Sequence, residues 1–346
     1  MTGNRQSYAI RRSEMSPPAL NAVPAGRNAG DSLSGNLWRS MPTLGPLVAL
    51  VILIIVFSLL NGNFFSLRNA TNVLQQAAVL TVLALGETFV ITMGSIDLSI
   101  GSTVSMVGML AALLIRDHGE WAVLAAPLAG AAIGAINGVL AAYAKLPSFL
   151  ITLGMLFAVN GMTLYLTQGT AIGVQPDLQI QSVFNGFLFG APTIALWALA
   201  AWLLSVFAAR RTRFGRYLYA IGGGEAVAKL CGVPVARFKL YAFIVCGLLA
   251  GFAAILLMLR VSGSDPTMGA PLLLPAIAAV VMGGTPLTGG VGGPHRTLLG
   301  VMVITILQNG MNLADVNPFL QDVVLGVGVI IAVAINMDRR GLLLVK

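Results

Sequence analysis

The sequence predicts an all-α polytopic membrane protein of about ten transmembrane helices, built as two inverted five-helix repeats with both termini cytoplasmic. Three observations carry this. Of 346 residues, 57% are hydrophobic and only 9% charged, with a mean hydropathy of +0.88, whereas a soluble domain carries charge on about a quarter of its residues. The apolar residues fall into runs long enough to cross hydrocarbon, and the basic residues collect in alternate connections between those runs.

A helix needs about 20 apolar residues to cross a bilayer. Ten stretches qualify: 43–60, 70–93, 97–115, 121–144, 147–168, 192–209, 238–260, 268–285, 297–314 and 319–337. The count is even, so both ends share a side. Placing that side in the cytoplasm leaves only Arg68, Arg116 and Arg260 of the 20 Lys and Arg residues outside, as the positive-inside bias requires. The stretch 268–296 is short and rich in Gly and Pro, which suits a broken or re-entrant helix. Residues 1–42 have no apolar core ahead of a small-residue cleavage site, so they read as a disordered basic cytoplasmic tail rather than a signal peptide. The membrane domain is then 43–337, and 338–346 is a cytoplasmic C-terminus.

Two short segments echo one another. Gly94, Asp97, Ser99 and Gly101 lie after the second span and Asp265, Thr267 and Gly269 after the seventh, giving D-x-[S/T]-[I/M]-G twice at an offset of 168 residues. Pro147-x-Phe149-Leu150 and Pro318-Phe319-Leu320 echo at about the same offset. Five spans per repeat is odd, so halves at about 43–168 and 192–337 lie in opposite orientations, a common plan in transport proteins. The two aspartates are expected to cap the helices that follow them.

Several chemistries are excluded. Lys145, Lys229, Lys239 and Lys346 all lack the preceding Gly of a phosphate-binding Walker loop, so no ATP hydrolysis is expected here. Cys231, Cys246, His118 and His295 match no metal or disulfide spacing, and no nucleophile–base set is recognisable. No enzyme activity, cofactor or metal is expected. The net charge of +8 lies in loops between apolar spans, where it orients the protein, so nucleic acid is not an expected partner.

The longest polar stretch, 210–239, carries seven of the 20 basic residues. Within it Glu225–Leu230 reads as a short helix: three glycines precede it, Glu225 sits where the helix dipole favours an anion, and Gly232 then Pro234 end it. A connection this long inside a compact bundle usually has a function.

At this point the chain resembles a known family. Ile221–Val233 (IGGGEAVAKLCGV), preceded by FGRYLYAIG, is similar to the cytoplasmic coupling segment of permeases from ATP-binding-cassette importers of the ribose, xylose and arabinose type, which tends to read IGGNEEAARLSGI. TFVITMGSIDLSIGS, KLPSFLITLGML and VVMGGTPLTGGVGG resemble three further motifs of that family, in the same order, so the likeness extends from about 45 to 340. Glu225, Ala228, Lys229 and Gly232 match family positions; Ala226, Val227, Ser95 and Pro286 depart from them.

The resemblance implies a homodimeric inner-membrane permease. Its implied partners are cytoplasmic ATPase subunits and a periplasmic sugar-binding protein, within the lipid bilayer. Arg216 and Lys229 are expected to pair with acidic groups on the ATPase; Tyr217, Leu218, Tyr219 and Leu230 are expected to supply docking area, with Gly215 and Gly232–Pro234 bounding the lever. For a sugar route, Glu87, inside the second span, is the one ionisable group that asks for a role. Thr88, Thr92, Asn137, Asn160, Gln308, Asn309 and Asn312 are further candidates, or else bond helix to helix. An ion-coupled secondary transporter of a small polar solute remains the alternative.

Overall fold

A computed structural model describes residues 32–336, with side chains from Gly45 onward except at 332, 335 and 336. The expected tail at 1–31 and the C-terminus from 337 lie outside the described residues. Among the described residues, those from Ser40 onward form one compact unit. The helices are α1 (Ser32–Leu60), α2 (Leu67–Thr92), α3 (Ile100–His118), α4 (Ala126–Ala142), α5 (Ser148–Thr167), α6 (Gln179–Asn185), α7 (Thr193–Arg211), α8 (Arg213–Gly223), α9 (Glu225–Leu230), α10 (Val235–Val261), α11 (Leu273–Met282), α12 (Pro294–Leu313) and α13 (Pro318–Asn336). Short 3-10 turns at Glu120–Ala125 and Ala270–Leu272 lead into α4 and α11. The strands are two-residue pieces: β1 (Ile172–Gly173) pairs antiparallel with β4 (Gly263–Ser264), and β2 (Phe187–Leu188) with β3 (Ala191–Pro192).

Each of the ten apolar stretches contains a helix, and among the described residues six elements are long and apolar enough to cross a membrane: Leu67–Thr92, Ile100–His118, Glu120–Ala142, Ser148–Thr167, Thr193–Arg211 and Val235–Val261. Two boundaries differ from expectation. Residues 32–42, assigned to the tail, are the beginning of α1. The predicted span at 268–285 contains the ten-residue α11 and the 3-10 turn Ala270–Leu272 before it; α11 itself is about 15 Å at 1.5 Å per residue, half of a ~30 Å hydrocarbon core. Pro275 is tolerated in its first turn, while Gly283 and Gly284 end it. The chain then runs through a glycine loop, 283–293, before α12 begins at Pro294.

Helix α2 is the centre of the bundle. Every residue from Ala77 to Thr92 is buried, as expected for a helix that is apolar on all faces. Helix α10 packs against it, running antiparallel: Gly86 meets Cys246, while Gln76 and Leu80 share a cavity with Leu257 and Arg260. On its other side α10 meets α4 through paired small residues. A Cβ at Gly130 or Gly134 would strike the carbonyl oxygens of Gly247 and Phe243, so the backbones touch. Close small-residue packing of this kind replaces the hydrophobic effect as the source of helix association in lipid. Leucines, valines, isoleucines and phenylalanines on α1, α5, α7 and α13 instead face outward, among them Leu59, Phe157, Leu204 and Ile330.

The spacing seen in the motifs recurs in the backbone. α2 and α10 begin 168 residues apart, as do α4 and α12. The chain turns through left-handed conformations at Gly94 (φ 77°) after α2 and Ser262 (φ 53°) after α10, and at Lys145 (φ 55°) after α4 and Asp315 (φ 51°) after α12.

Candidate functional site

The polar stretch 210–239 folds as two helices rather than a loop carrying one. Thr212 caps α8, its hydroxyl accepting from Gly215 N–H. The α8 sequence places Gly215, Leu218 and Ile221 on the buried side and Arg213, Arg216 and Ala220 in solvent. Gly224 separates α8 from α9, and Gly232, at φ 80°, takes the chain out of α9 in a conformation that disfavours any side chain. The short helix expected at Glu225–Leu230 is there.

Helix α9 is only six residues long, and isolated helices of this length do not hold in water. Three contacts hold it. Ala228 is buried beneath it, Val233 N–H returns to Ala228 C=O at 3.0 Å, and Glu225 Oε2 accepts from Lys239 Nζ on α10 at 2.6 Å. Val227 and Leu230 are left in solvent, Leu230 at 88% exposure. One expectation needs correction. Leu218 is fully buried, so it presents no area to a partner; the helix period turns it inward, and Ala228 of α9 is buried as well. Gly215, expected to bound the lever, lies in the first turn of α8, pressed against the Ala209 backbone.

The neighbours of α8 tie it to the bundle. Tyr219 Oη donates to Gly292 C=O at 2.8 Å. Burial raises the phenol above its ordinary pKa, opposed by Arg210 and Arg296 nearby, so it stays a neutral donor. Gly222 meets the Thr92 carbonyl at the end of α2 and the Gly290 backbone; Gly290 N–H donates to Thr92 C=O at 2.9 Å. Tyr217 packs edge-on against Phe238 with ring centroids 4.7 Å apart. Thus α8 touches the end of α2 and the loop before α12 at once. A groove of about 810 Å³ opens beside α9, lined by Lys145 and Pro147 of the α4–α5 connection, Phe149 of α5, and Glu225, Lys229 and Arg237.

The two D-x-[S/T] motifs adopt the same turn. Asp97 Oδ1 accepts from Ser99 N–H at 2.9 Å and Ser99 Oγ at 2.6 Å; Asp265 Oδ1 accepts from Thr267 N–H at 2.8 Å and Thr267 Oγ1 at 2.6 Å. Asp97 is buried, with Asn137 Nδ2 donating to it and to Ser99 Oγ, whereas Asp265 is exposed, and the Thr267 hydroxyl holds its carboxyl below the usual range. Gly94 backs onto the Thr288 carbonyl.

The candidate route residues do not form one group. Glu87 is fully buried and accepts from Asp97 N–H at 3.1 Å, with the Cys246 thiol 3.9 Å away. Thr88 shares a 2.7 Å bond with Thr297 of α12. Asn309 and Asn69 exchange reciprocal amide bonds at 2.8 and 3.0 Å. Asn137 is bound to the Asp97 turn, Thr92 is buried at the α8 end, and Asn160 sits half-buried on α5. Gln308 and Asn312 open into a cavity, at the end of the bundle away from α8 and α9. Gln76, Arg260, Thr305 and Gln321 join them there. Sequence reasoning missed these four because they lie on four different helices, and only the antiparallel register of α2 and α10 brings them together. Among the described residues no group of His, Cys, Asp and Glu has the arrangement of a metal site.

Residues 69–333 match the profile of a family described as "Branched-chain amino acid transport system / permease component". The ribose import permease protein RbsC of Escherichia coli (strain K12) is 39% identical over 303 residues, covering 85% of this chain and 93% of its own. RbsC of Bacillus subtilis (strain 168) is 38% identical, covering 87% and 94%. The L-arabinose ABC transporter permease protein AraH of Azospirillum brasilense is 31% identical over 329 residues, covering 94% and 96%. No solved structure matches the chain.

Proposed function

This chain belongs to the family of permease components of branched-chain amino acid transport systems, and from that membership we propose that it is the membrane subunit of an ATP-driven importer whose solute is a monosaccharide or related polyol. The family description names amino acids, but the relatives named for ribose and L-arabinose cover more than nine-tenths of their own length at 31–39% identity. They favour a sugar. The chain itself does no chemistry; a separate cytoplasmic ATPase supplies the energy and a periplasmic binding protein delivers the solute. Two copies of the chain span the bacterial inner membrane, each with ten membrane segments, both termini inside, and two inverted repeats.

The observation that carries the reading is α9: a six-residue helix with Val227 and Leu230 in solvent, clamped to α10 by Glu225 and Lys239. An ATPase that receives α9 and closes on ATP moves α8 with it, and α8 packs on the α2 terminus through Gly222 and is hydrogen-bonded to the 283–293 loop through Tyr219. Arg216, Tyr217, Lys229 and Leu230 form the rim and anchor of that contact, since exposed ion pairs contribute under about 1 kcal/mol. The buried Glu87 supports no ion-coupled cycle, because it is bonded to the Asp97 backbone and sealed from solvent.

The test is Gly232→Pro, which cannot adopt φ 80° and removes an N–H bonded to Lys229 C=O. It should abolish ATPase co-purification and sugar uptake while membrane insertion persists. Uptake at the parent rate, or uptake collapsed by a protonophore at constant ATP, would sink the proposal. Cysteine labelling that found α9 exposed to the periplasm would do so too.

A further inference from the structure

The cavity at the end of the bundle opposite α9 has a volume of about 270 Å³. Its polar lining comes from four helices: Gln76 of α2, Arg260 of α10, Thr305, Gln308 and Asn312 of α12, and Gln321 of α13. Two of these groups lack the partners that polar groups inside a bundle normally find. Thr305 is 1% exposed and its Oγ1 has no hydrogen-bond partner, although Thr88 and Asn309 at comparable burial are satisfied across helices. Arg260 has no ion-pair partner among the described residues. Leaving a buried hydroxyl unmade costs about 1–3 kcal/mol, and a guanidinium half-withdrawn from water asks for acceptors.

We propose that this cavity is a solute subsite for a neutral, hydroxyl-rich molecule the size of one sugar ring, with Thr305 and Arg260 as its anchoring groups. This rests on the sugar reading above and adds that the permease itself, not only a binding protein, selects the solute. The lining chemistry fits a polyol. Side-chain amides both donate and accept, as each sugar hydroxyl requires, and the guanidinium fork presents parallel donors to two neighbouring hydroxyl oxygens. Val79, Leu80, Leu257 and Leu272 supply an apolar wall for the carbon face of a ring. Small-molecule sites start at about 300 Å³, so this one admits nothing much larger than a monosaccharide. Gln321 Nε2 already donates to Asn312 Oδ1 at 2.9 Å, which fixes both amides across the cavity mouth.

The experiment uses the whole transporter, with its ATPase and binding protein, in proteoliposomes. Ribose, arabinose and xylose are offered in turn, each beside its deoxy analogue. Thr305→Val keeps the shape and removes the hydroxyl; Arg260→Met keeps the length and removes the fork. Each should lower sugar imported per ATP hydrolysed by roughly threefold to tenfold, the value of one hydrogen bond, and should shrink the discrimination between a sugar and its deoxy analogue. Binding-protein-stimulated ATP hydrolysis should stay within about twofold. A second readout needs no import: in a Cys231→Ser background, a Gln308→Cys thiol should be shielded from a methanethiosulfonate reagent by ribose in the parent cavity and not after Thr305→Val. Unchanged import ratios together with no shielding overturn the subsite. Loss confined to a polyhydroxy acid such as ribonate, with neutral sugars unaffected, overturns the neutral assignment. Failure of the parent to couple ATP hydrolysis to any of the three sugars, with shielding intact, would instead count against the importer reading alone.

Discussion

Gly101 and Gly269, 168 residues apart, lie backbone against backbone: a Cβ on Gly101 would stand 2.9 Å from the Gly269 carbonyl oxygen, and one on Gly269 would strike the Gly101 carbonyl oxygen. Gly269 N–H donates to Ser105 Oγ at 2.9 Å, fixing the approach. Each glycine closes one of the two D-x-[S/T] turns, so the turns that echo in sequence also meet in space.

The first expected outcome follows from that contact. Gly269→Ala forces the two turns apart against backbone, which does not yield as a flexible side chain would, and should destabilise by about 1–3 kcal/mol. Gly101→Ala, with a 2.9 Å contact, should fall in the same range or below. Gly154→Ala is the control, since a Cβ there meets nothing within 4 Å. Melting of the detergent-purified protein, followed by size-exclusion fluorescence, distinguishes the three.

Glu87 separates a structural carboxylate from a proton carrier. Its Oε1 accepts the Asp97 N–H at 3.1 Å in a fully buried setting, and an amide oxygen accepts equally well. Glu87→Gln should therefore leave stability within about 1 kcal/mol and uptake within about twofold, whereas Glu87→Ala orphans a buried N–H and opens a cavity, at about 2–4 kcal/mol. An inactive but well-folded Glu87→Gln would show that the ionisable proton is needed.

Much of this fold was legible because lipid imposes few solutions. Runs of apolar residues had to be helices, and each of the ten stretches contains one, 268–285 only a short one, with α9 bounded as its glycines indicate. What stayed hidden has a common cause: partners chosen by packing rather than by chain neighbours. Nothing in the sequence near Gly130 names Gly247, and nothing near Tyr219 names Gly292. The same limit governed the route. Polar residues in apolar spans were visible, but whether each faces a neighbour, as Thr88 and Asn309 do, or a cavity, as Gln308 and Asn312 do, depends on helix rotation. Periodicity could have flagged Leu218, since α8 places it three residues from both Gly215 and Ile221 on the buried face.

Tyr219→Phe removes the 2.8 Å bond to Gly292 C=O and should cost about 0.5–1.5 kcal/mol. Burial raises the phenol pKa above its ordinary value of about 10. The folded protein thus keeps the proton where the unfolded chain would release it, so the contribution is complete below about pH 10 and is lost only as pH climbs through the folded value. Between about pH 6 and pH 9 the difference in melting temperature between parent and variant should be flat. A difference that changes across that range would point to another titrating group.

The Glu225–Lys239 pair makes the sharpest separation between stability and coupling. The bond is short, at 2.6 Å, with the lysine side chain 17% exposed and the glutamate 55% exposed. Because one partner is largely in solvent, the pair contributes under about 1 kcal/mol to global stability. Its effect on α9 is larger in proportion, since six residues cannot form a helix unaided. Lys239→Met should therefore leave the melting temperature within about 2 °C, yet speed hydrogen exchange of the α9 amides by up to about fivefold, as 1 kcal/mol implies. ATP-driven uptake should fall with it. Raising the salt concentration should reproduce part of the effect in the parent. The swapped pair, Glu225→Lys with Lys239→Glu, should restore slow exchange if the ion pair is what holds the helix. Exchange rates that stay unchanged in Lys239→Met would mean that Ala228 and the Val233 return bond hold α9 by themselves.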